Sequence, residues 1–277
     1  MSYTSQGWNS WNLYACDVNE AIVRSTADAL VSSGLKELGY TYVTVDDCWQ
    51  VGRDSENGRI TVDMDRFPSG MKSLGDYIHS RGLKFGIYSS AGIHTCMGRP
   101  GSLYYERIDA QTYAEWGVDF LKYDNCWSEF GISKSSNIER YTSMLVDQLI
   151  SKVMRDALNA TGRPIYYSMC NWGQADSWEW YEYVLLKIRA EPIANAWRTT
   201  GDIGDLFTGW HYNCPCTDKN CWMVDLLGMG INTCSITNIL DKHEDIVKVS
   251  LDATQSESTL DLADLMIWIC SRSEMEE

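Results

Sequence analysis

Four times along this chain a glycine leads into a short apolar run that ends in polar or aromatic residues. Gly39 precedes Tyr42-Val43-Thr44-Val45 and then Asp46-Asp47. Gly82 precedes Leu83-Lys84-Phe85-Gly86-Ile87 and Tyr88. Gly117 precedes Val118-Asp119-Phe120-Leu121-Lys122 and Asp124, and Gly162 precedes Pro164-Ile165-Tyr166-Tyr167 and Cys170. A glycine supplies the left-handed turn that ends a helix. Each interval has room for one strand and one helix, and a string of such units argues for a parallel sheet. Helix starts are marked as well. Asp17 and Glu20 form a capping-box-like pair before Ile22, Ala29 and Leu30. Ser69 is placed to cap the helix of Met71, Leu74 and Ile78, and Asp109 the helix of Tyr113 and Trp116.

Parallel sheets keep their chemistry at the C-terminal ends of strands, both in closed barrels and in open doubly wound sheets. Periodicity alone leaves the two open. No glycine-rich phosphate loop follows the first strand, which weakens a nucleotide-binding reading. Asp124 stands at one such strand end, and a second carboxylate, Asp202, closes Trp197-Arg198-Thr199-Thr200-Gly201-Asp202. Two carboxylates on separate strand ends are the minimum equipment for cleaving a glycosidic bond. The nucleophile must stay ionised, and Lys122 lies two residues away on the same strand face. The acid must be tuned upward, which a semi-enclosed aromatic site does. Taken singly, Asp124 reads more readily as a helix cap and Asp202 as a turn residue; the two together, each on a strand end, bring the readings level. The adjacent Asp46-Asp47 pair fits a clamp for two sugar hydroxyls, a cation site or a charged loop. Trp8, Trp11 and Trp49 fit either an aromatic wall or the core.

Composition narrows the function classes. The 277 residues are 44% hydrophobic, ample for one large core, and the net charge is −15. So acidic a chain is a poor partner for nucleic acid or an anionic membrane. No run of 18 apolar residues is present, so no membrane span is expected, and no signal peptide precedes Gly7. Ten cysteines are many for a cytosolic enzyme. Disulfides and a zinc site are both open for Cys214, Cys216 and Cys221, but no histidine stands at ligand spacing, and the compartment argument favours disulfides.

Several blocks, in order, resemble the α-galactosidases of glycoside hydrolase family 27. They are Gly7-Trp8-Asn9-Ser10-Trp11-Asn12, Val45-Asp46-Asp47-Cys48-Trp49, Arg66-Phe67-Pro68-Ser69-Gly70-Met71 and Leu83-Lys84-Phe85-Gly86-Ile87-Tyr88. Leu121-Lys122-Tyr123-Asp124-Asn125-Cys126, Tyr167-Ser168-Met169-Cys170-Asn171-Trp172-Gly173 and the block ending at Asp202 complete the series. The resemblance is closest to yeast and fungal members. It implies a (β/α)8 TIM barrel and a retaining double displacement that removes terminal non-reducing α-D-galactosyl residues. Melibiose, raffinose-type oligosaccharides and galactomannan side chains are all open as substrates. Asp124 is then the nucleophile and Asp202 the acid/base. Asp46 and Asp47 hold the 4- and 6-hydroxyls, and Lys122 and Arg198 bind further hydroxyls. Trp11, Tyr88, Cys96, Cys170 and Trp172 line the pocket. Cys170 with Trp172 matches the galactose form rather than the N-acetylgalactosaminidases, which carry smaller residues there. The implied disulfides are Cys16–Cys48, Cys96–Cys126, Cys214–Cys234 and Cys216–Cys221, with Cys170 free. No cofactor or metal is expected, and the family's location is secreted, lysosomal or vacuolar. Asn159-Ala160-Thr161 is a glycosylation sequon. The alternatives are an α-N-acetylgalactosaminidase and a truncated, inactive galactose-binding remnant.

Two stretches depart from the family pattern. Residues Tyr181 to Glu191 look like an extra segment. Beyond Asn238-Ile239-Leu240-Asp241-Lys242 the seventh-strand motif of the family is not legible. Codons permitted for Met266 to Glu277, shifted by two nucleotides, can encode it. The expectation is a catalytic barrel over residues 1–248 with about six native βα units, an out-of-frame tail over 249–277, and no last strands or C-terminal β domain.

Overall fold

The computed structural model describes residues 6–128, 137–172 and 193–198. Asp202, the cysteines from Cys214 to Cys234, the segment Tyr181 to Glu191 and the tail 249–277 lie outside the described residues.

The described chain runs β1 (Gln6–Asn9), α1 (Trp11–Tyr14), a 3-10 turn (Ala15–Asp17), α2 (Glu20–Ser32) and β2 (Tyr40–Val45). A hairpin follows, β3 (Gln50–Arg53) and β4 (Ile60–Val62), and then α3 (Gly70–Ser80), β5 (Lys84–Ser90), α4 (Glu106–Glu115) and β6 (Phe120–Asp124). The last described elements are α5 (Asn137–Ala160), β7 (Tyr166–Cys170) and β8 (Ala196–Trp197). Strands β1, β2, β5, β6, β7 and β8 form one sheet in that order, every neighbouring pair parallel. Sequential parallel strands with intervening helices, curled into part of a barrel, belong to the (β/α)8 class.

The strands alternate by register. Val43, Val45, Phe85, Ile87, Leu121, Tyr167 and Met169 face outward and are buried under the helices. The helices answer with apolar stripes at helical spacing: Val23, Ala27 and Leu30 on α2, Met71, Leu74 and Ile78 on α3, and Met154, Ala157 and Leu158 on α5. Full burial of such a side chain stabilises by about 1.5–3 kcal/mol. The opposite parity, Thr44, Gly86, Tyr88, Lys122, Asp124, Ser168 and Cys170, lines the barrel interior.

The four turn glycines behave as the sequence requires, with φ of 100° at Gly39, 70° at Gly82, 76° at Gly117 and 74° at Gly162. The helix caps differ from expectation. Asn19, not Asp17, caps α2, its Oδ1 accepting the N–H of Ile22 at 3.1 Å. The 3-10 turn leaves Asp17 in solvent, and Glu20 instead accepts the Ser69 hydroxyl at 2.6 Å. Ser69 does precede α3, but that bond to Glu20 occupies its hydroxyl, and its side chain caps nothing. Asp109 lies inside α4, fully buried, where both oxygens take the Arg53 guanidinium at 2.7 Å. That pair fastens the β3–β4 hairpin to the barrel wall, and the Tyr105 ring covers Arg53 at 4.0 Å.

Candidate active site

Every strand of the sheet delivers a polar group to the same end. β1 ends at Asn9, and β2 runs into Asp46 and Asp47. β5 carries Tyr88 and Ser90, β6 carries Lys122 and Asp124, β7 ends at Cys170, and Arg198 follows β8. Tyr88 is level with Lys122, and Ser90 with Asp124 and Cys170. The parallel register therefore stacks these side chains in two layers at the barrel mouth.

The Asp46 carboxylate is the hub. Its Oδ2 accepts from Lys122 Nζ at 2.7 Å and from Asn9 Nδ2 at 2.7 Å, and its Oδ1 accepts the Asp47 N–H at 2.9 Å. Its own N–H donates to Ser10 Oγ at 3.0 Å. Burial pushes the Lys122 ammonium down, but the Asp46 and Asp124 carboxylates hold it above its ordinary value, so it stays charged. Asp47 is 1% exposed. Its Oδ1 accepts the Cys48 N–H at 2.7 Å and its Oδ2 the Met97 N–H at 3.0 Å. Burial raises its pKa, the bonds from Thr95, Met97 and Cys48 oppose the rise, and Asp46 adds to it.

Asp124 is 5% exposed. Its Oδ2 faces the Tyr88 hydroxyl at 3.1 Å and its Oδ1 accepts the Asn125 N–H at 2.9 Å. Burial raises this carboxyl as well, opposed by Lys122, the Asn125 N–H and Tyr88. Tyr88 is held from behind by Trp49, whose Nε1 donates to the Tyr88 carbonyl at 2.9 Å. Trp49 and Trp8 are core residues, 0% and 1% exposed, so neither forms an aromatic wall. Trp11 opens α1 just after β1, its backbone N–H donating to Asn9 Oδ1 at 2.9 Å, and Trp172 follows the end of β7 by two residues. Trp172 has φ of 53°, Trp127 52° and Cys48 77°. These left-handed non-glycine residues follow the ends of β7, β6 and β2, where functional loops concentrate strain.

The structure joins Cys16 to Cys48 and Cys96 to Cys126, the two described pairs that the resemblance implies. The Cys96 and Cys126 sulfurs lie within 4.8 Å of an Asp124 oxygen, but as a disulfide they are not thiolate ligands for a metal. Cys170 is a buried free thiol, pushed up to about 12 by burial first and by Asp124. It is thus neutral and no nucleophile. Arg198 Nη1 reaches its sulfur at 3.5 Å. Ala91, Asp124, Asn125, Cys170 and Asn171 line a crevice between the ends of β6 and β7. Among the described residues no helix is long and apolar enough to cross a membrane.

Asn9 and Ser10 had no assigned task in the sequence reading. Asn9 ends β1 and Ser10 follows it, and nothing local signals that they meet Asp46 from the neighbouring strand.

Residues 4–224 match the family model described as alpha galactosidase A. The α-galactosidase of Schizosaccharomyces pombe is 46% identical over 239 residues, 85% of this chain and 49% of that protein. Alpha-galactosidase 3 of Arabidopsis thaliana is 52% identical over 200 residues, 72% of this chain and 40% of that protein. The structure of the Saccharomyces cerevisiae α-galactosidase with raffinose superimposes with a TM-score of 0.66 at 42% identity, covering 77% of this chain and 43% of that one. The chain spans about half the length, or less, of the relatives it matches. On the family match and these identities, the chain belongs to the α-galactosidase family.

Proposed function

We propose that this protein is a retaining glycoside hydrolase acting on terminal non-reducing α-D-galactosyl residues, with Asp124 as nucleophile and Asp202 as acid/base. The observation that carries the reading is the shared mouth of the sheet. One buried carboxylate stands alone at the end of β6, and a carboxylate pair charged by Lys122 stands two strands away. Asp124 attacks the anomeric carbon as Asp202 protonates the departing glycosidic oxygen. Asp202 then takes a proton from water, which releases galactose from the ester. Lys122, the Asn125 N–H and the Tyr88 hydroxyl oppose the burial that raises the Asp124 carboxyl. Asp46 and Asp47 each retain accepting capacity toward the sugar, suited to adjacent hydroxyls of galactose. Raffinose, bound by the yeast relative, sets the class of oligosaccharide to try first. The two disulfides favour a location outside the cytosol.

A 5-fluoro galactosyl fluoride tests the reading. Attack by Asp124 forms the C1–O bond, breaks C1–F and expels fluoride, and the ring fluorine slows hydrolysis of the ester. Peptide mass analysis should find the added sugar on Asp124. Labelling elsewhere, or none while the plain galactoside is hydrolysed, would remove Asp124 from the role.

A further inference from the structure

The two oxygens of Asp47 are held by backbone beside two different disulfides. Oδ1 takes the N–H of Cys48, which is bonded to Cys16, and Oδ2 takes the N–H of Met97, next to Cys96. The residues around Cys96 form a tight turn. Thr95 N–H donates to the Arg99 carbonyl at 2.7 Å, Gly98 N–H to the Thr95 carbonyl at 2.9 Å, and Arg99 N–H to Thr95 Oγ1 at 3.0 Å. The outer side of the turn is in solvent, with Met97 49% exposed. Its covalent tie runs from Cys96 to Cys126, two residues beyond Asp124. Cys126 is itself fixed, its carbonyl accepting Ser90 Oγ at 2.9 Å. Gly92 lies flat on the Cys126–Trp127 backbone, where any added Cβ would collide with the Cys126 carbonyl. Between the two loops stands Tyr88, its hydroxyl 3.3 Å from Cys96 Sγ and 3.1 Å from Asp124 Oδ2.

We propose that the Cys96–Cys126 disulfide is a positioning latch, which sets the Met97 N–H against Asp47 and so couples the sugar clamp to the loop that follows Asp124. Cys96 and Cys126 act through Asp47 as positioning residues. The effect on sugar affinity rests on the galactoside reading above, whereas the effect on Asp47 does not. Opening the latch frees the exposed turn. Asp47 then keeps the Cys48 N–H and loses the bonds from Met97 and Thr95, both on the freed turn. The charged and titratable groups facing Asp47 are Asp46, paired with Lys122, and the Tyr88 phenol. With those donors removed and Asp46 still beside it, Asp47 titrates at higher pH. A disulfide that only restrained the unfolded chain would change stability and leave that titration in place.

The experiment uses the full chain carrying Cys96→Ser and Cys126→Ser, with Cys16–Cys48 intact. Carboxyl-13C aspartate is followed by NMR across pH, and Asp47 is assigned from the Asp47→Asn spectrum. Asp109, buried against Arg53, is the internal reference. The expected result is an Asp47 midpoint moved to higher pH, an unmoved Asp109 and galactose affinity reduced about tenfold, the loss of one sugar hydrogen bond to a charged group. An unchanged Asp47 midpoint in the folded variant overturns the latch. If the double variant does not fold, the bond is opened in the folded parent with dithiothreitol. The reagent becomes its cyclic disulfide as two protein thiols form, and thiol mapping confirms which pair opened. The same shift or its absence then decides. Failure of the parent to bind galactose would count against the substrate reading, and Asp47 would still decide the latch.

Discussion

Lys122 reaches past the neighbouring strand to Asp46. Its Nζ lies 2.7 Å from Asp46 Oδ2, and its stem crosses the Tyr88 ring with the ammonium 5.3 Å from the centroid. The side chains are 13% and 2% exposed. Strand β5 separates the two backbones, so this one pair ties β2 to β6 over the barrel interior. It also sets the charge of the mouth, since the same ammonium holds down Asp124.

Removing half of that pair should cost more than removing both halves. Lys122→Met leaves Asp46 buried and unpaired, a loss of about 3–5 kcal/mol. The double variant Lys122→Met with Asp46→Asn should recover part of it. Urea unfolding of the three variants closes the cycle. Equal losses in the single and double variants would show that the pair is not the linkage.

Tyr88→Phe removes the proton that faces Asp124 Oδ2. That hydroxyl lowers the Asp124 pKa, so its loss raises it, and the acid limb of kcat/KM on a galactoside moves to higher pH. The accompanying loss in kcat/KM should be about tenfold. An unmoved limb would mean that the contact does not act on Asp124.

Asp124 should stabilise the acid form of the protein and weaken the neutral form. Its folded pKa is raised above the ordinary 3.8, chiefly by burial. A raised carboxyl contributes stability that is present below the ordinary value and lost as pH rises through the folded value. Asp124→Asn is therefore expected to raise the melting temperature at neutral pH, with the gain shrinking on acidification toward pH 3.8. A variant less stable at neutral pH would show that Lys122 and the two hydrogen bonds outweigh burial.

Arg53→Met strands the Asp109 carboxylate in the core between the β3–β4 hairpin and α4. The expected cost is about 3–5 kcal/mol. Chemical denaturation measures it, and a cost near zero would assign the fastening to the Tyr105 stack and the surrounding apolar contacts.

Strands β2, β5, β6 and β7 were legible because each begins shortly after a glycine with positive φ and buries its outward residues as an apolar alternation. Asp124 was legible for the same reason, since the run from Phe120 ends on it. The β3–β4 hairpin was not foreseen, as three or four residues of mixed polarity carry no period. Asp109 looked like a cap because its partner, Arg53, is 56 residues away in sequence. Asp17 looked like a cap because the pair with Glu20 is a sound local signal, but α2 begins at Glu20 behind Asn19, and Ser69 and Arg24 take up the Glu20 carboxylate. Lys122 was placed on the face of Asp124, and its bond to Asp46 became visible only once β2, β5 and β6 were in register. The adjacent Asp46-Asp47 pair left a hydroxyl clamp, a cation site and a charged loop open, and only the family resemblance pointed to the 4- and 6-hydroxyls and to a part for Arg198.

The most direct test of the two-carboxylate account is hydrolysis of an aryl α-D-galactoside by the purified chain beside its Asp124→Asn variant. The account predicts turnover by the parent and its loss in the variant, by at least about a thousandfold in kcat, with galactose still bound by both. Undiminished turnover in Asp124→Asn would contradict it.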